Sequence, residues 1–150
     1  MGFRDSKADA NHKLLGYYTV LKGLGVDTEA LNKGLIIFQE QGGKRFAETM
    51  KKALGLSESL ADAHKATLAV AQIFGTEGET EELGKRGTVT KCPHYEIGQE
   101  FGLEKERCLA PCLPFNTAIT KSFNPKFSVR RTKAIPQGDS LCEFVWATEG

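Results

Sequence analysis

Residues 75–95 read GTEGETEELGKRGTVTKCPHY, and the character of the chain changes there. Upstream, apolar residues recur at helical spacing. From residue 77 the spacing shortens to that of strands. Gly84-Lys-Arg-Gly87 has turn chemistry between two short strands, about 77–83 and 87–91. Pro93 then suits the first position of a short helix, which Gly102 would close. Helices followed by a hairpin, a helix and a second hairpin predict an α+β fold with a small antiparallel sheet.

Working back from residue 75, three helices are expected. In the first, Ala10, Leu14, Tyr17 and Leu21 repeat at helical spacing, and Gly23 and Gly25 end it. Asp27 or Thr28 caps the second, whose apolar stripe is Leu31, Leu35, Phe38, Gly42, Phe46, Met50 and Ala53. Gly42 and Gly43 each cost about 1 kcal/mol relative to Ala inside a helix. Glycine on such a stripe predicts close approach of another helix or a ligand, with a kink as the alternative. Ser57 is expected to cap the third, with Leu60, Ala63, Thr67, Val70 and Phe74 on one face. Tyr17, Tyr18 and Phe38 are expected in the core, the alternative being a surface for a partner such as a second copy.

Working forward, a helical segment interrupted by Pro111 and Pro114 runs to about Phe123. Phe127, Val129, Arg131 and Lys133 alternate with smaller residues. Pro136–Ser140 makes a turn, and Leu141–Ala147 is a strand with Cys142, Phe144 and Trp146 on one face. His64 is read as a satisfied or exposed histidine, and Trp146 as a core or edge aromatic. The 150 residues fit one domain, with a helical part about 9–75 and a mixed, cysteine-containing part about 76–147.

Charge excludes more than it proposes. The chain has 20 basic and 19 acidic residues, and neither half carries the basic excess of a nucleic-acid binder. No apolar run is long enough to span a membrane, and the first residues lack a signal-peptide core. A cytoplasmic protein with a small-molecule partner is expected. Glu77, Glu79, Glu81 and Glu82 read as a solvated strand and turn. In the basic stretch Lys121–Lys133, Arg130 or Arg131 could hold an anion, because a guanidinium matches a carboxylate or phosphate.

The chemistry sits in four cysteines, Cys92, Cys108, Cys112 and Cys142, all in the second half. Cytosolic cysteines rarely form stable disulfides, so three readings compete. They could bind zinc or an iron–sulfur cluster, with His94 as a nitrogen ligand, although Pro111 disturbs the pair Cys108 and Cys112. Cys92 could be a nucleophile. As the N-cap of a helix beginning at Pro93 it would face the positive end of the dipole, with His94 two residues on to move protons. They could also be small buried hydrophobes, which suits Cys142 best. Asp139 reads as a turn residue.

Val89-Thr-Lys-Cys-Pro-His-Tyr95, Cys108 and Cys112, Phe123-Asn-Pro125, Arg131-Thr-Lys133 and Gly138-Asp-Ser-Leu-Cys-Glu-Phe144 follow one another in an order that resembles the L-2-amino-thiazoline-4-carboxylic acid hydrolase family. The resemblance covers roughly residues 75–147. The Gly-Asp-x-x-Cys-x-Phe ending is also similar to the 4-vinyl reductase (V4R) small-molecule-binding domains, whose cysteines are suspected of holding metal. The first resemblance implies hydrolysis at a C–N bond of a small cyclic amidine or thiazoline. Cys92 would then be nucleophile or metal ligand, His94 the proton shuttle and Arg131 the anchor for a substrate carboxylate. Asn116 would be a substrate-binding residue, standing where the family pattern has an acid. The second resemblance implies a non-enzymatic sensor module in which Cys92, Cys108, Cys112 and Cys142 hold zinc or an iron–sulfur cluster.

Overall fold

The computed structural model describes residues 3–103 and 112–150, with residues 3–11 described by backbone alone. It has the expected α+β architecture, helices on one face of a four-stranded antiparallel sheet. Helices α1 (Phe3–Gly23), α2 (Thr28–Leu54) and α3 (Leu60–Ile73) come first. Strands β1 (Glu77–Glu82) and β2 (Arg86–Lys91) form a hairpin, α4 (Pro93–Glu100) and α5 (Cys112–Phe123) follow, and β3 (Phe127–Lys133) and β4 (Cys142–Thr148) close the chain. The sheet order is β1-β2-β4-β3, so β2 and β4 are central. Among the described residues no helix is long and apolar enough to cross a membrane.

The helix ends follow local chemistry. The Asp27 carboxylate accepts the Ala30 N–H at 2.9 Å and caps α2. Gly55 ends that helix with φ of 61°, in the left-handed region where a β-carbon is unfavourable. The cap of α3 is Ser59 rather than Ser57: the Ser59 hydroxyl accepts the Asp62 N–H at 3.1 Å. Ser57 instead donates its backbone N–H and its hydroxyl to the Asp62 carboxylate. These donors, with Lys65, hold the Asp62 carboxyl well below the usual carboxylate range. Pro114 does not break α5, because it falls in the first turn, where its missing N–H has no intrahelical acceptor to serve.

Three apolar clusters hold the molecule together. One lies where α2, α3 and α5 meet, built from Ala47, Ala63, Ala66, Val70, Ile119 and Phe123. Ile119 is wholly buried there and contributes on the order of 2 kcal/mol. Gly42 and Gly43 lie at the α2–α5 crossing, as their place on the stripe predicts. A β-carbon on Gly43 would stand 2.6 Å from the Phe115 carbonyl oxygen and 2.8 Å from the Ala118 β-carbon. A second cluster joins α1, α2 and α4 through Leu15, Tyr18, Leu35, Ile97 and Leu103. Here the expectation needs correcting. Tyr18 is buried, but Tyr17, Leu21 and Phe38 are exposed, because the stripe of α1 that enters the core runs through Leu15 and Tyr18. Ala53, at the end of the expected α2 stripe, is exposed as well.

The third cluster is the inner face of the sheet: Val129, Cys142, Phe144 and Trp146, with Leu113 and Leu60 packed on it. Register pairs Val129 with Trp146 and Gly87 with Phe144. On the other face Glu143 meets Arg86 and accepts from Thr132 at 2.5 Å. The Thr132 hydroxyl first, and then Arg86, keep the Glu143 carboxyl ionised below its ordinary range.

Candidate functional site

The C-terminal end of β2, the start of β4 and the end of β3 lie together, since Val89 pairs with Cys142 and Arg131 with Phe144. Each strand end delivers a residue singled out by the sequence. β2 runs straight into Cys92, which is the N-cap of α4, with Pro93 in the first turn. The Cys92 backbone is extended (φ −127°, ψ 108°), and its carbonyl accepts the N–H groups of Tyr95 and Glu96 at 3.0 and 3.1 Å. The thiol makes no capping hydrogen bond and the residue is half-buried. His94 stands in the first turn of the same helix, its ring 5.6 Å from that of Phe74 at the end of α3.

Cys112 opens α5 over the end of β3, and the Arg131 guanidinium donates to its sulfur at 3.5 Å. Burial pushes the Cys112 thiol up to about 11, which outweighs the opposing pull of Arg131. It is a protonated thiol at neutral pH. Its sulfur also senses Cys92 and Cys142, so these three cysteines share one neighbourhood. Cys142 is buried and its sulfur accepts the Ile135 N–H at 3.3 Å. Asn116 lies one turn beyond Cys112, on the same helical face. Cys108 lies outside the described residues.

Chemistry sorts these cysteines. Cys142 is the small hydrophobe its strand suggested. Cys112 is neutral and held by a cation. Among the described residues no three of His, Cys, Asp and Glu gather closely enough to hold a metal ion. The donor set argues the same way, since a guanidinium beside Cys112 opposes a second, divalent positive charge at that sulfur. The described thiols therefore do not fit the expected zinc or iron–sulfur site. Asp139 has the turn role expected of it: its carboxylate accepts the Ala134 N–H at 2.8 Å.

Sequence reasoning missed the packing of His64. It is fully buried, and its ring stacks on Trp146 at 3.7 Å between centroids and 14° between planes. Its Nδ1 accepts the Gly84 N–H at 3.0 Å, so a neutral ring carries its proton on Nε2. That Nε2 is buried without a hydrogen-bond partner among the described residues. Burial pushes the imidazole down to about 4. The Trp146 indole donates to Thr120 at 3.3 Å. Two signals were available. His64 falls on the Leu60–Thr67 stripe at i, i+4, and Gly87 interrupts a strand where a β-carbon would stand 3.0 Å from Nε2.

A groove of about 530 Å³ lies between α2 and α5, lined by Glu40, Lys44, Glu48, Lys51, Thr117 and Lys121 among others. By helical spacing it is on the side of α5 away from Cys112 and Asn116.

The fold is shared with proteins of remote sequence. One is the phenol-responsive sensory domain of the transcription activator PoxR, crystallised with phenol. It matches at a TM-score of 0.59 and 11% identity, covering 99% of this chain and 75% of that one. Another is trafficking protein particle complex subunit 3 from Naegleria fowleri, covalently bound to palmitic acid. It matches at 0.55 and 15% identity, over 95% and 97% of the two chains. No curated protein matches the sequence. The similarity to V4R domains is not shown by these comparisons. The family model for L-2-amino-thiazoline-4-carboxylic acid hydrolase matches residues 17–146, well beyond residues 75–147, so the helices that carry no signature belong to the pattern too. With most of its length matched, the chain belongs to the L-2-amino-thiazoline-4-carboxylic acid hydrolase family.

Proposed function

We propose that this protein hydrolyses a small cyclic amidine of the thiazoline type at the strand ends where Cys92, Cys112 and Arg131 converge. The observation that carries this reading is the division of labour among the thiols. Of the three described thiols, Cys112 is neutral and bound to Arg131 and Cys142 is buried, which leaves half-buried Cys92 at a helix start as the nucleophile. Its thiolate would add to the amidine carbon. The ring C–S bond then breaks, in place of the C–N bond first expected, and the departing sulfur takes a proton from His94. Water adds to the resulting isothiourea carbon, giving up a proton to His94, and expels the Cys92 thiolate. The product is a urea, and the sum is addition of one water. Arg131 would anchor the substrate carboxylate, and Asn116 would hydrogen-bond the ring.

Two variants test this with a 2-aminothiazoline-4-carboxylate substrate. Cys92→Ser is expected to lower kcat by about 100-fold or more with the fold intact. Full activity in that variant would remove the nucleophile. Arg131→Met is expected to raise KM by about 10- to 100-fold, the value of one charged hydrogen bond, and to leave the decarboxylated ring unaffected. A ligand-binding module is the second reading, favoured by the phenol and palmitic acid carried by the two structural neighbours. Phenol or palmitic acid binding by a chain that turns over no thiazoline would favour it.

A further inference from the structure

Helix α2 presents two different surfaces to water. From Gln41 to Lys52 the exposed positions are Gln41, Lys44, Arg45, Glu48, Thr49 and Lys52, as solvent requires, and only the last two residues, Ala53 and Leu54, expose apolar side chains. In its N-terminal half they include Ile37 and Phe38. Tyr17, Val20 and Leu21 on α1, and Leu24 in the turn just past its end, recur at i, i+3, i+4 and i+7, on the side away from Leu15. Tyr17 is 71% exposed, Leu24 76% and Phe38 59%. Single exposed apolar residues are ordinary, but a complete stripe is not. With Val26, these side chains leave on the order of 800 Å² in water, which is what each partner of a standard interface covers.

The occupant is fixed by the pattern. The α1 stripe has the seam spacing by which two helices pack together. From Tyr17 to Leu24 it carries no charge, with Lys13 one turn before it, so these two turns can face an identical stripe without opposition. A two-fold interface uses the same patch on both subunits, and this patch suits itself. We propose that the chain forms a two-fold dimer through the outer face of α1, extended by the N-terminal half of α2. The thin cluster of Leu15, Tyr18, Leu35, Ile97 and Leu103 then becomes one layer of a deeper apolar interior.

Sedimentation of the full chain at micromolar concentration tests this. The wild type is expected at twice 16.4 kDa. Leu24→Glu and, on the other helix, Phe38→Glu are each expected to weaken association by about 30-fold or more, with an unchanged far-UV spectrum. A wild type that sediments at 16.4 kDa overturns the proposal, as does a trimer. A dimer that persists in both folded variants also overturns it. Should one variant lose its fold, the other variant and the wild-type mass still decide.

Discussion

The two halves of α2 are held by opposite means. Towards its C-terminus the helix touches α5 so closely that only glycine fits at residue 43, and its far side is charged. Towards its N-terminus it shares a thin cluster with α1 and α4, Gly34 has open space around it, and the far side exposes Ile37 and Phe38 beside the charged Glu29, Lys33 and Glu40. One region has spent its small residues on backbone proximity. The other has kept large residues on both of its faces. A helix is therefore not uniformly core or uniformly surface, and its glycines carry different meanings at different turns.

Substitution at those glycines separates the halves. Gly43→Ala is expected to destabilise by about 3 kcal/mol in urea unfolding, because the obstacle is the Phe115 carbonyl, which cannot rotate away. A change below about 1 kcal/mol would mean that α2 and α5 shift apart easily, and the comparison would fail.

Acid should next strike the α3–β4 contact, outside the α2–α5 crossing. His64 binds a proton only near pH 4 in the folded protein and near 6.5 once unfolded. The unfolded chain takes up the proton first, so this contribution is complete above about pH 6.5 and is lost as pH falls towards 4. The loss amounts to about 3 kcal/mol at the lower end. His64→Gln should flatten that part of the stability–pH curve, and an unchanged slope would assign it to other groups. The smallest effect belongs to the loose half. Gly34→Ala has room and an ordinary helical backbone, and is expected to stabilise by about 0.5–1 kcal/mol in thermal or urea unfolding. A loss there would show that Gly34 already faces a neighbour.

The sheet was legible because its signals are local. Alternation in Phe127–Lys133 and Leu141–Ala147, and the Gly84–Gly87 turn, sit within a few residues of one another and matched the observed strands. Gly42 and Gly43 announced a close neighbour without saying which. The stripes of α1 and α2 were misread at Tyr17, Leu21 and Phe38. Periodicity says which residues share a face but not which face meets the core, and here two faces are apolar. Of the site, the N-cap position of Cys92 was legible from Pro93. The Arg131–Cys112 contact was not, since the two residues are brought together by α5 lying on β3 rather than by any local pattern.

The α2–α5 crossing also sets a schedule. Gly43 meets residues 115–119, so about 75 residues must be made before the cleft of α2 finds its partner. At the ribosomal pace of about 5–20 residues per second, that interval is about 4–15 s. During it α1, α2 and α3 are complete, but the face that α5 will cover is bare. A later helix therefore seals an earlier one, and a nascent chain stalled before residue 115 would present to chaperones a helix that is finished yet has nothing to close upon.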